Sequence, residues 1–367
     1  MTKSPGQIAS VQPSPGRLSS VQSSPNILAL DVGGTKLEAG IVSAQGELLD
    51  TLRTPTQLDL GPEGVTRQLL DLGLTLLQRT SAKISGVGVG CGGPLDRELG
   101  IIQDPPNLPG WTDFPLKNHL EAGLSDAGWT LPIALDNDAN AAALAELRFG
   151  AGRGFQHLIY LTISTGIGGG VILDGQLYAG KNGNAGELGH LQVEVHGERC
   201  NCGGRGCLEQ YASGSSIARR ARAVALATPN SLLNTLAPDP LRITAHTVLQ
   251  ALEGGDAATL AFWDETLEYL AAGVASTVHA FDPQRVVIGG GVSNFGEWLF
   301  PPLRARVQAR TMPALWQGLE ICRAELADHV GIFGAAAVAL SQNWPSSSSQ
   351  SFIQPSTPES ALQETVP

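Results

Sequence analysis

The sequence predicts an α/β fold that contains the same unit twice, with helices covering a mostly parallel core. Two β-meanders carry this prediction, because an apolar strand, a Gly/Thr-rich turn and a second strand begin at residue 27 and again at residue 158. The two copies start about 130 residues apart, and helical segments separate the later strands. Duplication of one α/β unit explains the repetition, whereas chance similarity between two hairpins is the alternative.

Apolar periodicity and turn residues place the individual elements. The strands are predicted at 27–31, up to 42 and up to 54 in the first meander, at Leu158–Ile163, 168–173 and just after 174–175 in the second, and at 133–135 and 286–288 elsewhere. The helices are predicted at 63–80, 139–149 and Ala257–Phe281. Strands that alternate with helices in this way favour a sheet with helices on its faces.

Composition limits the class of protein. With 367 residues and 42% hydrophobic residues, the chain is long enough for two domains with their own cores. The net charge of −11 and the scattered lysines and arginines argue against nucleic-acid binding, and no apolar run is long enough to span a membrane. Five cysteines, an odd number, indicate a reducing cytoplasm.

Both ends of the chain are predicted to be disordered, low-complexity tails, at 1–26 and 343–367. They are rich in Ser, Pro and Gln, and residues 4–11 recur in similar form at 14–21. Such segments lack the apolar residues needed to offset the entropy of ordering. The folded part is therefore expected to lie between these tails, from about residue 26 to about residue 343.

Three closely spaced cysteines and a histidine predict a metal site. Cys200, Cys202 and Cys207 lie within eight residues, and His190 lies ten residues before the first of them. A Cys3His set suits tetrahedral zinc in a structural role and needs no water ligand. A zinc knuckle with no further role and a redox-active thiol cluster are the alternatives. Glu187 and Glu209 flank the set, and two carboxylates there suit a polyhydroxy ligand.

Glycine-rich turns predict a divided nucleotide site. In each turn, glycine amides can approach an anion closely, and Asp31 can hold Mg²⁺ through water. A single glycine-rich turn is more often only a hairpin, but two in duplicated units and a third glycine run suit phosphates and adenosine. The predicted nucleotide-binding residues are Asp31, Gly33, Gly34, Thr35 and Lys36 in the first turn, Thr165 and Gly166 in the second, and Gly290 and Gly291 in the third run.

A polar cluster at the end of the 133–135 strand predicts the catalytic residue. Asp136, Asn137, Asp138 and Asn140 open a helix, where a single such residue would suffice as an N-cap. Four of them in five positions favour a ligand. Asp138 can then act as a general base on an alcohol, with Asn137 and Asn107 orienting other hydroxyls. The alternative interpretation is that the Pro/Gly loop around Asn107 is only a connecting loop.

These motifs together resemble the ROK family of repressors, open reading frames and sugar kinases. The resemblance rests on Asp-x-Gly-Gly-Thr-Lys, Asp-Asn-Asp-Ala-Asn, Ser-Thr-Gly-Ile-Gly-Gly-Gly, Glu-x-Gly-His, Cys-x-Cys-Gly-x-x-Gly-Cys and Leu-Glu-Gln-Tyr-Ala-Ser-Gly, in this order over about residues 27–341. It implies an actin-like ATPase (ribonuclease-H-like) fold with two lobes and a cleft between them. The sugar contacts that it implies are Gly92, Asn107, Asn137, Asp138, Glu187, His190 and Glu209.

The resemblance also implies an organisation and an activity. The small lobe would be 27–138, with a C-terminal helix at about 329–342 packing back on it, and the large lobe 139–328, with a zinc loop at 187–209. The implied activity is that of a glucokinase, which phosphorylates glucose with ATP and Mg²⁺ and has Asp138 as its base. Another hexose (N-acetylmannosamine, mannose or fructose), polyphosphate as donor, or a non-catalytic sugar-sensing regulator are the alternatives. A homodimer or homotetramer is expected, without nucleic-acid or membrane partners.

Overall fold

The computed structural model describes residues 25–342, so almost all of the two predicted tails lies outside the described residues. Twelve strands run through this part of the chain. They are β1 (Asn26–Val32), β2 (Lys36–Ser43), β3 (Leu48–Pro55), β4 (Ile84–Cys91), β5 (Leu95–Asp96), β6 (Ile101–Ile102), β7 (Ile133–Asn137), β8 (Leu158–Ile163), β9 (Ile167–Leu173), β10 (Gln176–Leu177), β11 (Arg285–Gly289) and β12 (Glu320–Arg323). Among the described residues, none forms a helix that is both long and apolar enough to cross a membrane.

The strands form two five-stranded sheets with the same topology. The first has the order β3-β2-β1-β4-β7 and the second the order β10-β9-β8-β11-β12. In each sheet the three meander strands pair antiparallel, and the first of them also pairs parallel with the next strand in the row. The last two strands of each row are likewise parallel. The predicted duplication of an α/β unit is therefore confirmed.

Eleven α-helices connect and cover the sheets in the described part of the chain. They are α1 (Gly61–Arg79), α2 (Leu116–Asp126), α3 (Asp138–Phe149), α4 (Glu209–Ala212), α5 (Gly214–Ala227), α6 (Leu232–Leu236), α7 (Ala245–Glu253), α8 (Ala257–Phe281), α9 (Phe300–Arg310), α10 (Pro313–Trp316) and α11 (Val330–Leu340). The predicted helices correspond to α1, α3 and α8, and α8 has the predicted bounds. Strand β4 and the β5–β6 hairpin were not predicted.

Two alanine-rich helices join the sheets. Helix α11 packs on β1 and β4 of the first sheet, and α3 packs on β8 and β9 of the second, while the two helices also pack against each other. Close approach requires a glycine on β4, because a Cβ at Gly88 would lie 1.8 Å from the carbonyl oxygen of Ala335. Helix α11 thus follows the second sheet in the chain and lies against the first.

A buried carboxylate ties the two connections between the sheets together. Glu146, on α3, accepts hydrogen bonds from the amides of Ala151, Glu325 and Leu326 at 2.8, 3.2 and 3.0 Å. Ala151 follows α3, whereas Glu325 and Leu326 lie between β12 and α11. Because the Glu146 side chain is fully buried, these amides replace the water that a carboxylate normally needs. The two connections are therefore held in one fixed arrangement.

Candidate active site

The parallel strands of the first sheet end in polar residues at one edge. Asp31 of β1 is in register with Gly90 of β4, and Cys91 of β4 is in register with Asn137 of β7. The carboxyl ends of parallel strands form the usual ligand-binding edge of an α/β sheet. Burial raises the pKa of the Cys91 thiol, and the nearby carboxylates of Asp138 and Asp31 raise it further. The two aspartates therefore face the same small region.

Asp138 is the first residue of α3 and has an unusual electrostatic environment. Its side chain is reached by solvent, yet protein surrounds the carboxylate so closely that desolvation raises its pKa. A hydrogen bond from the backbone amide of Ala139 lowers the pKa, and the charge of Glu187 raises it again. Desolvation outweighs the favourable helix N-terminus. The result is a carboxylate that binds a proton more readily than a free aspartate.

The other residues of the Asp136–Asn140 cluster hold this junction in place. Asn137 caps α3, since its Oδ1 accepts a hydrogen bond from the amide of Asn140 at 2.7 Å. Asp136 Oδ1 accepts from the amide of Asn137 at 2.8 Å and from Asn140 Nδ2 at 2.9 Å. Asp136 and Asn140 are fully buried. The capping role considered for this cluster is thus fulfilled by Asn137, next to the exposed Asp138.

The first glycine-rich turn lies against the loop that contains Asn107. A Cβ at Gly34 would lie 2.2 Å from the carbonyl oxygen of Asn107, so only glycine fits there. The Asn107 side chain itself is exposed. Gly92 adjoins the same edge, and a Cβ on it would meet no atom within 4 Å, so it borders open space. The structure therefore brings Gly34, Gly92 and Asn107 to the edge where Asp31 and Asp138 lie.

Lys36 does not extend freely from this turn. Its Nζ lies 2.8 Å from Glu38 Oε2, and Arg53 pairs with the same buried carboxylate at 3.0 Å. Burial alone would raise the pKa of Glu38, but the hydrogen bonds and charges of the two cations outweigh it and lower the pKa. Glu38 faces Asp31 directly across the β1–β2 pair. Sequence reasoning considered Lys36 as a phosphate ligand alone and missed its pairing with Glu38.

The charge of the Asp31 carboxylate is poorly stabilised by the groups around it. Burial raises its pKa to about 6, with Lys36 opposing the shift and Asp138 and Glu38 adding to it. A Cβ at Gly331, near the start of α11, would lie 2.4 Å from Asp31 Oδ2. Helix α11 thus approaches this carboxylate closely. A bound cation would stabilise the ionised form of this carboxylate, which is compatible with the predicted Mg²⁺.

The second glycine-rich turn borders a large cavity of about 770 Å³. Ser164 and Thr165 lie on one side, and the N-terminus of α5 lies beside them, where the amide of Gly214 donates to the carbonyl of Ser164 at 2.7 Å. A helix N-terminus favours anions. The apolar lining consists of Ala218, Ile243, Ala245, Leu249, Val292 and Phe295. The first amides of α5 already bond to Ser164, Thr165 and Ser213, so the cavity combines the positive end of a helix dipole with an apolar wall.

The third glycine run contributes to this cavity unequally. Gly291 lines the cavity, whereas a Cβ at Gly290 would lie 2.4 Å from the carbonyl oxygen of Ile163. Gly290 therefore allows β11 and β8 to pack closely. Sequence reasoning did not identify the α5 and α7 residues of the cavity wall. These include Arg219, Arg222 and His246 as well as small and apolar residues, and only the fold brings them together.

The predicted zinc ligands meet in one cluster. The ligand atoms of His190, Cys200, Cys202 and Cys207 all lie within 4.8 Å of one another. Nδ1 of His190 lies 3.6 Å from Cys200 Sγ, and Cys202 Sγ lies 3.6 Å from Cys207 Sγ. Three sulfurs and one imidazole nitrogen at these separations fit a tetrahedral zinc ion.

The other side of the His190 ring points toward the acidic part of the site. Its Nε2 lies 3.9 Å from Glu187 Oε2. Glu209 follows the cluster, and its Oε2 accepts a hydrogen bond from the amide of Ile167 at 2.8 Å. The charge of Glu187 reaches Asp138. The predicted metal cluster, formed by His190, Cys200, Cys202 and Cys207, is therefore continuous with the residues predicted to contact a sugar.

Comparison with known proteins agrees with this architecture. The ROK family model matches residues 27–342. A glucokinase of Thermotoga maritima is 39% identical over 312 residues, which cover 85% of this chain and 96% of the relative. A ROK hexokinase from Thermus thermophilus superposes with a TM-score of 0.72 at 35% identity, covering 85% of this chain and 97% of the other.

A ROK family glucokinase from Streptomyces griseus, solved in complex with glucose and AMPPNP, is similar to the same extent. It has a TM-score of 0.71 at 33% identity and covers 85% of this chain and 98% of its own. The actin-like fold implied by the resemblance is confirmed by these structures. Since the family model spans nearly all of the described residues, the chain belongs to the ROK family.

Proposed function

We propose that this protein is a glucokinase that transfers the γ-phosphoryl group of ATP to the 6-hydroxyl of glucose. The observation that carries the proposal is the position of Asp138. This carboxylate has a raised pKa and lies between a polar, acidic sugar side and the strand edge that bears Asp31. Glucokinases at 34–39% identity over most of the chain support the choice of reaction.

Sugar binding would use the side of the site next to the metal cluster. The hydroxyls would bind to Asn107, Asn137, Glu187, His190 and Glu209, with Gly92 leaving room for the ring. Carboxylates and amides accept hydrogen bonds from hydroxyls well. Asp138 would accept the proton of the 6-hydroxyl as this oxygen attacks the γ-phosphorus and the bond to ADP breaks.

The nucleotide would occupy the 770 Å³ cavity and the glycine-rich turns. The apolar wall formed by Ile243, Val292 and Phe295 suits a purine, and the N-terminus of α5 suits phosphate. Thr35, Lys36, Thr165 and the glycine amides would hold the phosphates. Polyphosphate has no base to fill an apolar wall, so the cavity favours ATP over polyphosphate as donor.

Two metal ions accompany this assignment. Asp31 would hold Mg²⁺ through water, and that ion, when bound with ATP, neutralises phosphate charge. His190, Cys200, Cys202 and Cys207 would hold a structural zinc, which leaves no coordination position for substrate. The role of zinc there would be to hold His190 and the surrounding loop in position.

The larger organisation is part of the same proposal. Residues 27–138 with α11 would form a small lobe and 139–328 a large lobe, which close over the substrates and exclude water. We further expect a cytoplasmic homodimer or homotetramer. Light scattering of the purified protein measures its mass and tests the oligomeric state directly.

A coupled assay across donors and sugars tests the function. Turnover of glucose with ATP and Mg²⁺ is expected to exceed turnover of mannose, fructose and N-acetylmannosamine, and polyphosphate is expected to replace ATP poorly. If another hexose is preferred, that sugar replaces glucose as the proposed substrate. Sugar binding without turnover under any of these conditions would favour the sugar-sensing regulator instead.

A further inference from the structure

Arg97 forms an ion pair with Asp136, the residue that precedes the predicted sugar ligand Asn137 by one position. Its guanidinium NH2 lies 3.2 Å from Asp136 Oδ2. The Arg97 side chain is 26% exposed, whereas that of Asp136 is 1% exposed. Arg97 lies in the turn between β5 and β6, far from Asp136 in sequence. The pair therefore joins a surface hairpin to the buried end of β7.

The two oxygens of Asp136 have separate tasks. Oδ1 accepts from the amide of Asn137 and from Asn140 Nδ2, which fixes the strand-to-helix junction. Oδ2 is buried and makes no hydrogen bond of good geometry among the described residues, so Arg97 supplies the charge that faces it. Burial raises the pKa of Asp136, and Arg97 is the largest influence that lowers it. An ionised carboxylate in this position thus depends on the arginine.

The aliphatic part of Arg97 contacts a second segment of the site. A Cβ at Gly183 would lie 3.2 Å from Arg97 Cδ and 3.3 Å from its Cγ. Gly183 has φ of +80°, a conformation that favours glycine, and it belongs to the loop that leads to Glu187. The hairpin and this loop border a polar cavity of about 450 Å³ that includes Arg97 and Gly183. Arg97 therefore lies between the end of β7, which follows the first meander, and the loop before Glu187, which follows the second.

We propose that Arg97 is a positioning residue for sugar binding, acting through Asp136 on Asn137 and Asp138 and through its contact with Gly183 on the loop before Glu187. This inference rests on the sugar-kinase function proposed above. An ordinary surface ion pair contributes little, but removing one partner of a pair with a buried member leaves an unpaired buried charge. The proposed role therefore predicts that removing the charge of Arg97 weakens glucose binding more than removing the charge of Asp136 does.

Four variants test that asymmetry: Arg97→Met, Arg97→Lys, Asp136→Asn and the double variant Arg97→Met/Asp136→Asn. Arg97→Met is expected to raise the KM for glucose by about tenfold, with the KM for ATP changed by less than about twofold. Asp136→Asn is expected to be mild, because the amide oxygen keeps its two hydrogen bonds and partly exposed Arg97 is solvated. The double variant should resemble Asp136→Asn, since a neutral residue needs no cation.

The controls separate positioning from general damage. Arg97→Lys keeps the charge and should restore most of the glucose affinity, and Arg79→Met, at the exposed end of α1, should change nothing. Equal KM values for glucose in Arg97→Met and wild type would overturn the proposal, as would a double variant as impaired as Arg97→Met. A wild type that phosphorylates no sugar contradicts the proposed function, whereas normal wild-type turnover with an unaffected Arg97→Met variant contradicts only this role.

Discussion

The amide of Ile167 donates a hydrogen bond to Glu209 Oε2 at 2.8 Å, and this contact joins the two halves of the site. Ile167 begins β9 directly after the second glycine-rich turn, which borders the proposed nucleotide cavity. Glu209 follows the cysteines of the metal cluster and is a predicted sugar ligand. One carboxylate thus contacts the proposed phosphate side of the site and belongs to its proposed sugar side. A change in either segment is expected to affect the other.

Gly166→Ala tests this connection. A Cβ at Gly166 would lie 2.5 Å from Glu209 Oε2, so the carboxylate must move and its bond to Ile167 is expected to be lost. We expect the KM values for glucose and for ATP to rise together, each by roughly tenfold. Gly291→Ala is the comparison variant, because its methyl group meets no atom within 4 Å and lies at the proposed nucleotide cavity, so the KM for glucose is expected to stay unchanged in it. The connection is wrong if Gly166→Ala affects ATP alone.

Asp138→Asn is expected to remove turnover but not sugar binding. The amide keeps the shape and the hydrogen-bonding position of the carboxylate but does not accept a proton, so kcat is expected to fall by about 10²–10⁴-fold. Calorimetric titration with glucose measures binding separately. Asp126→Asn, at the exposed end of α2, serves as the control. Turnover within about threefold of wild type would show that Asp138 is not the base.

The acid side of the pH profile follows from the raised pKa of Asp138. Only the ionised carboxylate accepts the proton, so kcat/KM is expected to rise with pH through this pKa, above the usual value of 3.8. Glu187→Gln removes a negative charge that raises the pKa, so the acid limb should move to lower pH. The measurement is kcat/KM from pH 4 to pH 8 with folding monitored by circular dichroism. A shift to higher pH would contradict the assignment.

Local patterns in the sequence predicted much of the fold. Helix α8 was predicted with its observed bounds from its amphipathic pattern, and the structure shows that Asp256 caps its start and Asp282 ends it in a left-handed conformation. Strand β4 was missed because its alternating glycines resemble a turn, although Gly88 is there to admit α11. The requirement for glycine comes from a helix about 245 residues later, so no local pattern reveals it.

The site was predictable where its residues lie close together in sequence. The predicted zinc ligands and the Asp136–Asn140 cluster can each be recognised from their short spacing in the sequence. The structure brings the members of each set together. Arg97 and the wall residue Ile243 belong to no such motif. Their roles depend on contacts with Asp136 and with the far side of a cavity, which only the folded chain creates.

Cys202→Ala tests whether the metal cluster supports sugar binding. The four ligand atoms lie within 4.8 Å of one another, and a set of three is expected to release zinc. Without the metal, only a 3.6 Å contact with Cys200 Sγ holds Nδ1 of His190, and Nε2 is then expected to leave its position 3.9 Å from Glu187. The KM for glucose is therefore expected to rise by about tenfold or more, in the range seen when metal-supporting contacts are lost.

Affinity for ATP should change much less, because the nucleotide cavity is lined by α5, α7 and the residues after β11, and not by the cysteines. Cys322→Ala is the matched control, since Cys322 lies on β12 outside the cluster and should leave zinc content and glucose affinity unchanged. Zinc content is measured by elemental analysis of the same preparations used for separate glucose and nucleotide titrations. A zinc-free Cys202→Ala protein that binds glucose normally would disprove the link, and equal weakening of both ligands would indicate general unfolding instead.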